Sequence, residues 1–440
     1  MTTRHDSQVS NGVGVLGATA IGIGGMVGGG IFAVLGVAAV AAGGATPVAF
    51  LIGGVIAALT AVSYSRLSVA MPSAGGSVSF IDGVFGVGQV TGTLNAALWV
   101  GYLATTALYA SAFGHYSQTL LPGSWSGGGV LRLLIVVAVA APWLVNLADA
   151  SLIARAEGVI VAIKLLILAV VVAAGAGSVD TSGLAPSSWP GAGTIVGAAM
   201  LIFVAYEGFE LIANASEDVR NPAHTLPRAF ALSIAIVIVL YVLIAGVVVG
   251  SLTPEVISQS QDFALAEAAA TTLGQAGFRL VGGAAILATL SAVNATLYGA
   301  ARLSFTLATE GELPERFEHL RWNQPIGLHV TAIGGTLIAV ALPLSSISGL
   351  ASAIFLLVFA AVNAAAYRAQ IAGRWRRPLA ATGAAGCLGS LGVLLVRAVT
   401  HDRTMLVSLV ILLTVAVAAE HRILRHRRTG PHLRVTSAGR

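Results

Sequence analysis

The stretch Gly22-Ile23-Gly24-Gly25-Met26-Val27-Gly28-Gly29-Gly30-Ile31-Phe32 lies inside the first long apolar run of the chain. Six glycines in nine positions disfavour a helix, since each costs about 1 kcal/mol relative to alanine. Close helix packing needs small residues on one face only, whereas these glycines surround the helix. A break would place free backbone N–H and C=O groups at mid-membrane depth, which is tolerated where protein or a water-filled cavity surrounds them. We therefore predict a functional break here.

The composition places the chain in a membrane. Of its 440 residues 56% are hydrophobic and only 9% are charged, whereas a soluble domain carries about 25% charged residues. The one cysteine, Cys387, excludes an intramolecular disulfide and a cysteine metal cluster. The N-terminal apolar run of about thirty residues is too long for a signal peptide.

Apolar segments long enough to span a bilayer, about 20 residues each, recur along the chain. We predict an all-α integral membrane protein with twelve such helices, at 13–42, 45–65, 86–112, 130–147, 154–175, 193–214, 228–250, 272–303, 328–343, 347–367, 378–397 and 403–421. The loops are too short for a separate soluble domain. The expected organisation is an N-terminal segment (1–12), one transmembrane domain (13–421) and a basic tail (422–440).

The arginines predict the orientation. With both termini cytoplasmic, 18 of the 22 arginines lie inside and 4 outside, as the positive-inside rule requires. Shifting the count by one helix would place the clusters 374–377 and 422–428 on opposite sides. The basic charge is thus better explained by orientation in the plasma membrane, with a contribution from anionic lipid, than by nucleic acid.

The sixth segment carries a second irregular stretch, Phe203-Val204-Ala205-Tyr206-Glu207-Gly208-Phe209-Glu210. Carboxylates inside an apolar span are expensive and usually face a cavity or a partner. Interrupted segments at corresponding positions of two halves indicate an inverted-repeat transporter, and here the first and sixth segments each open a set of five.

Three stretches together resemble the amino acid–polyamine–organocation superfamily of transporters. The first is the glycine run ending in Gly30-Ile31-Phe32. The second is Phe203–Glu210 followed by residues 216–222 and 226–229, and the third joins residues 301–303 to 310–314. The turn at 72–76 also fits, and the match covers about residues 13–370.

The resemblance implies a five-plus-five inverted repeat of the leucine-transporter type, with repeats at 13–175 and 193–367 and helices eleven and twelve (378–421) outside them. It implies an amino acid site between the breaks. The restarting helix would aim N–H groups and its positive dipole end at a carboxylate, and carbonyls before Glu207 would face an ammonium. Glu207 departs from the commoner family pattern, where this position is more often uncharged. The expected substrate-binding residues are Gly25, Met26, Gly28, Gly29, Gly30, Phe203, Tyr206, Glu207 and Gly208.

Lys164 is the only lysine in the chain, and it lies about ten residues from either end of helix five. At 1.5 Å per residue it is roughly 15 Å deep, too deep to reach the membrane surface. A buried lysine can release its proton, whereas arginine cannot. Some proton-coupled, sodium-independent members of the superfamily resemble this chain in placing a helix-five lysine where sodium binds in relatives. We therefore expect Lys164, near Gly24, Gly25 and Ser291, to couple transport to protons, with Glu210 as a second candidate.

Several alternatives stay open at this stage. Within the transporter class, an exchanger of amino acids or polyamines is the main rival to a proton-coupled symporter. A channel or a receptor-like sensor would depart from family behaviour. The glycine run does not fit the dinucleotide-binding spacing, and zinc motifs, a nucleophile elbow and clustered histidines are missing. We therefore expect no enzyme activity, no cofactor and no metal; the expected partners are an amino acid, protons and membrane lipid.

Overall fold

The computed structural model describes residues 12–148, 151–369 and 377–429. The predicted N-terminal segment, apart from Gly12, and the end of the basic tail lie outside these residues, as do Arg374 and Arg376. Sixteen α-helices are present in the described residues: α1 Val15–Met26, α2 Gly30–Ala42, α3 Thr46–Ala70, α4 Ser77–Phe85, α5 Gln89–Thr119, α6 Gly128–Ala148, α7 Ser151–Gly175, α8 Ala192–Leu201, α9 Leu211–Asn214, α10 Pro222–Ser251, α11 Pro254–Gln259, α12 Ala264–Thr309, α13 Ile326–Ala341, α14 Leu344–Arg368, α15 Arg377–His401 and α16 Arg403–Thr429.

Short elements complete the chain. Seven 3₁₀ turns are found in the described residues, at Gly43–Ala45, Gly123–Trp125, Pro186–Ser188, Phe203–Tyr206, Ser216–Asp218, Gln261–Phe263 and Glu315–Glu318. A two-stranded antiparallel hairpin pairs β1 (Leu320–Arg321) with β2 (Gln324–Pro325) between α12 and α13.

The helices confirm a multi-pass membrane protein. Among the described residues, eight helical stretches are long and apolar enough to cross a membrane, and a pair bent by 51°, Ala192–Leu201 with Phe203–Asn214, makes nine. Shorter apolar helices at Val15–Met26, Ile326–Ala341 and Arg403–Ala418 coincide with the rest of the predicted segments. The twelve-helix count stays a prediction.

The long helices pack in a pattern that surrounds the two irregular stretches. Helix α3 lies against α10, α5 lies against α12, and α14 contacts α3, α5 and α8. Helix α12 is bent at Gly274, which has a positive φ of 62°. Residues of α2, α5 and α14 are buried along most of their length, so these helices form the interior against which the broken helices rest.

Candidate functional site: two helix breaks and the cavity between them

The first break occupies residues 27–29. Helix α1 ends at Met26, α2 begins at Gly30, and the N–H of Val27 donates the last bond of α1 to the carbonyl of Ile23, at 2.7 Å. The carbonyl of Met26 accepts a hydrogen bond of 2.7 Å from the Tyr241 hydroxyl of α10. A side chain of another helix thus satisfies a backbone group that the break leaves free.

The second break runs from Ile202 to Glu210. A 3₁₀ turn at Phe203–Tyr206 follows α8, and Glu207 is extended with φ −62° and ψ 145°. Hydroxyls of α14 satisfy the freed backbone: the carbonyl of Leu201 accepts bonds from Ser348 and Ser352, and the N–H of Val204 donates to the Ser352 oxygen, at 2.9 Å.

The two breaks touch each other through backbone alone. A Cβ added to Gly25 would overlap the carbonyl group of Gly208, and a Cβ on Gly208 would overlap the backbone of Gly25 and Met26. Gly208 also has a φ of +113°, which favours glycine. Tyr241 contacts both sides of the same junction, since its hydroxyl donates to the carbonyl of Met26 and also lies 3.2 Å from the carbonyl of Ala205. Close packing of the two breaks therefore accounts for Gly25.

The two carboxylates of the second break have different environments. Glu207 lines the cavity described below, and its Oε2 accepts a bond of 3.3 Å from the hydroxyl of Tyr109. Glu210 is 2% exposed, and its Oε2 accepts a bond of 2.8 Å from the N–H of Gly208. Glu210 thus stabilises the turn that presents Glu207.

A cavity of about 1090 Å³ lies beside the junction of the breaks. It brings together five of the residues predicted from the sequence: Gly25, Gly28, Lys164, Glu207 and Gly208. At one end it reaches exposed side chains on loops and helix ends: Glu217, Arg302 and Glu310.

Lys164 is 2% exposed, and it lines the cavity together with Gly24, Gly25 and Ala292. Its helix, α7, packs against both α1 and α12. Ser291, the predicted neighbour on α12, is buried next to Ala292.

Five of the predicted substrate-binding residues lie outside the cavity lining. They are Met26, Gly29, Gly30, Phe203 and Tyr206, which are buried and do not line the cavity. A Cβ on Gly29 would enter the ring of Tyr109, and the Tyr206 hydroxyl donates to the carbonyl of Phe50, at 2.7 Å.

The cavity also includes polar residues that the sequence did not predict, among them Tyr109, Asn146 and Asn294. Tyr109 holds Glu207, as described above. Asn146 of α6 donates a 2.7 Å hydrogen bond from Nδ2 to Oδ1 of Asn294 on α12, and both asparagines line the cavity. Polar side chains within apolar segments were the available signal, but such residues also occur as structural bonds between helices.

A group of three carboxylates lies where the cavity reaches solvent. The nearest oxygens of Asp82, Glu310 and Glu312 lie within 4.8 Å of one another, close enough to hold a metal ion. Nδ2 of Asn95 donates to Asp82, at 3.0 Å, and to Glu312, at 2.7 Å. Burial raises the pKa of Asp82, and burial together with the nearby Asp82 carboxylate raises the pKa of Glu310.

Comparison with known proteins assigns the chain to a family. A family profile described as amino acid permease matches residues 13–417. The chain belongs to the amino acid permease family. The resemblance stated from the sequence is thereby confirmed, and so is the expectation that this permease is a transporter and not an enzyme.

Relatives of this permease carry different transport names. The inner membrane transport protein YbaT of Escherichia coli is 34% identical over 81% of this chain and 83% of its own length. A methylthioribose transporter of Bacillus subtilis is 28% identical, over 68% of this chain and 67% of its own. The branched-chain amino acid permease BcaP of the same organism is 25% identical, over 71% and 70%.

Proposed function

We propose that this permease is a secondary active transporter that carries amino acids across the cytoplasmic membrane by alternating access, driven by protons and independent of sodium. The observation that carries the proposal is the presence of Glu207 and Lys164 on one cavity beside the junction of two helix breaks. The family description and the name of the branched-chain relative favour amino acids as substrates.

Helix pairing supports the five-plus-five repeat with helices eleven and twelve outside it. The first and sixth predicted segments meet as α1 with α9 and as α2 with α8. The second and seventh meet as α3 with α10, the third and eighth as α5 with α12, and the fourth and ninth as α6 with α13. In these four pairs an element contacts the element five segments further on, as a pseudo-two-fold axis in the membrane plane would produce.

The cavity geometry supports binding of an amino acid near the junction. The backbone at Gly28 precedes the N-terminus of α2, where the positive end of the helix dipole favours a carboxylate. Glu207 supplies the opposite charge for an ammonium group, and its bond from Tyr109 holds it in place. The end that reaches Glu217, Arg302 and Glu310 is the side that the arginine distribution predicts to be cytoplasmic, so we interpret this conformation as open to the cytoplasm with both termini on that side.

Lys164 supports proton coupling through its position. Its ammonium lies on the helix that contacts both α1 and α12, so its charge can hold these elements together in one conformation. Release of the proton from Lys164 would remove the attraction between its ammonium and these two helices as they rearrange. Glu210, buried behind Glu207, is the second candidate proton carrier, because a charge at such depth is costly unless it is paired.

The test is uptake into sodium-free proteoliposomes with an imposed pH gradient. We expect accumulation by the wild type, none by Lys164→Ala, and none by Lys164→Arg, because arginine keeps its charge. Ile163→Ala is the matched control, since Ile163 is 44% exposed on the same helix. Accumulation by Lys164→Ala equal to that of the control, or a need for sodium, would refute proton coupling through Lys164. Counterflow measured with and without the pH gradient separates this symporter from the rival exchanger.

The role of Glu207 is tested separately by substrate class. Glu207→Gln should weaken the binding of cationic amino acids more than that of neutral ones, because only the former lose a charge partner. Glu217→Gln is the matched control, since Glu217 is an exposed carboxylate at the open end of the same cavity. Equal losses for both substrate classes would show that Glu207 serves conformation or coupling instead of side-chain recognition.

A further inference from the structure

A second concave surface lies on the outside of the helix bundle, between α6 and α13. It is a groove of about 450 Å³, and the β1–β2 hairpin closes one end of it. Its walls are the apolar side chains Val136, Val139 and Ala140 of α6 and Ile333 and Leu337 of α13. This groove does not share a residue with the transport cavity.

The closed end of the groove is a fixed aromatic cluster. Nε1 of Trp143 donates to Nδ1 of His329, at 2.9 Å, and Nε2 of His329 donates to the carbonyl of Arg321, at 3.2 Å. The rings of Trp143, Trp322 and His329 pack edge to face, with centroids 5.4–6.0 Å apart. Both ring nitrogens of His329 are hydrogen-bonded, so the cluster forms one wall of the groove.

The hairpin turn places an aromatic ring and a charge at the rim. Trp322 and Asn323 both have positive φ, 51° and 64°, as a two-residue hairpin turn requires. Trp322 is 60% exposed, and the guanidinium carbon of Arg321 lies 5.0 Å from its ring centre. A bulky residue in this conformation is uncommon, so the contacts of the cluster hold the ring at the rim.

These features define an occupant with an anionic head and a long apolar body. Arginine binds phosphate with its planar set of donors. From His329 to Leu337 the groove follows α13 for about 12 Å, at 1.5 Å per residue, which is close to the hydrocarbon depth of one leaflet, about 15 Å. Ile333 and Leu337 are 63% and 64% exposed, so apolar chains can lie against them.

We propose that the groove binds an anionic phospholipid, with its phosphate at Arg321 and an acyl chain between α6 and α13. The hairpin belongs to the loop that the arginine distribution predicts to be cytoplasmic, and the cytoplasmic leaflet is the one rich in anionic lipid. Tryptophan at the interface fits the same depth. The groove also has a route to the transport cavity: Nε2 of Gln324, in the hairpin, donates to the carbonyl of Asn146, at 2.8 Å, and Asn146 bonds Asn294 across the cavity.

The test measures lipid retention on the purified permease in detergent, by native mass spectrometry, with phosphatidylglycerol and phosphatidylcholine of the same acyl chains. We expect phosphatidylglycerol to bind the wild type more tightly and Arg321→Gln to reduce this binding about fivefold, the effect of one charge near an anionic surface. Arg228→Gln, at an exposed arginine on the same predicted side, should change little. Inorganic phosphate alone should not bind, because it lacks the acyl chain.

A second variant separates the apolar contact from the charge. Ile333→Trp should fill the groove and reduce phosphatidylglycerol binding while Arg321 is still present, and its elution in size-exclusion chromatography reports whether it is folded. Equal retention of the two lipids by the wild type would mean bulk annular lipid only and would overturn the proposal. Losses in Arg228→Gln that match those in Arg321→Gln, or unchanged binding in folded Ile333→Trp, would overturn it too.

Discussion

The contact between the two helix breaks makes a quantitative prediction about Gly208. Alanine at this position should destabilise the permease for two separate reasons. Its φ of +113° is unfavourable for any L-residue, at about 1–3 kcal/mol. Its Cβ would also lie 2.7 Å from the oxygen of Gly25 and from the nitrogen of Met26, whereas ordinary contacts begin at 3.4 Å.

Relief of this overlap requires the two breaks to move apart by several tenths of an ångström, and overpacking of a filled interior costs about 1–3 kcal/mol. The sum is about 2–6 kcal/mol. An unfolding entropy of about 2.1 cal/mol/K per residue then gives a fall in Tm of about 2–6 °C for a chain of 440 residues. Substrate binding should weaken as well, because Gly208 and Gly25 line the cavity.

Gly25→Ala separates the two causes. Gly25 lies in α1 with helical backbone, so its alanine variant should suffer the overlap without the φ penalty and lose about half as much stability. The double variant should lose less than the sum, because both side chains force the same separation. Gly283→Ala is the control: Gly283 lies within α12, and a Cβ there would meet no atom within 4 Å.

The assay is thermal unfolding of the purified variants in one detergent, followed by uptake in liposomes. Gly283→Ala should match or slightly exceed the wild type, since alanine favours the helix. A Tm of Gly208→Ala within 1 °C of this control, with normal uptake, would refute the argument that the backbone contact holds the breaks together.

Three further predictions follow from neighbouring contacts. Gly29→Ala should abolish substrate binding in a thermal-shift assay, because its Cβ would displace the ring of Tyr109 that holds the cavity carboxylate. Tyr241→Phe should cost about 1–3 kcal/mol, seen as a lower Tm, because it removes the O–H that donates to the carbonyl of Met26 and lies near that of Ala205; the same change at Tyr367, which is 48% exposed, should leave Tm unchanged. Burial raises the pKa of Asp82, so the folded state takes up a proton that the unfolded state lacks, and stability should fall as pH rises through the raised pKa. Asp82→Asn should therefore raise Tm at pH 8 and flatten the fall of Tm as pH rises above the ordinary carboxyl pKa, and an unchanged pH profile would contradict this.

Much of the architecture could be predicted because lipid imposes a simple rule on the sequence. Apolar runs of sufficient length identify helices. The two irregular stretches identify breaks, since neither the glycine run nor the stretch with two carboxylates suits an uninterrupted helix. The boundaries were less accessible: α5 extends to Thr119 and α10 starts at Pro222, where polar residues continue a helix beyond the predicted apolar limit.

The candidate site could be predicted only in part. Glu207 and Lys164 stand out because each is a charge within an apolar segment. Which glycines face the cavity depends on how two distant backbones meet, and the sequence contains no periodic signal for that. Tyr109 and Asn146 contribute from helices whose composition is ordinary, so their roles become visible only when the helices are assembled.

The arrangement of polar groups around the breaks separates structural from functional roles. Tyr241 and the serines of α14 do not line the cavity, and they bond backbone groups that the breaks leave free. Glu207 approaches from the cavity side, where a substrate would meet it. A mutation of Tyr241 or of these serines should therefore reduce stability in proportion to its effect on transport. Glu207→Gln should instead change substrate preference at nearly constant stability. This difference gives a criterion for assigning any new variant of the permease to the scaffold or to the transport site.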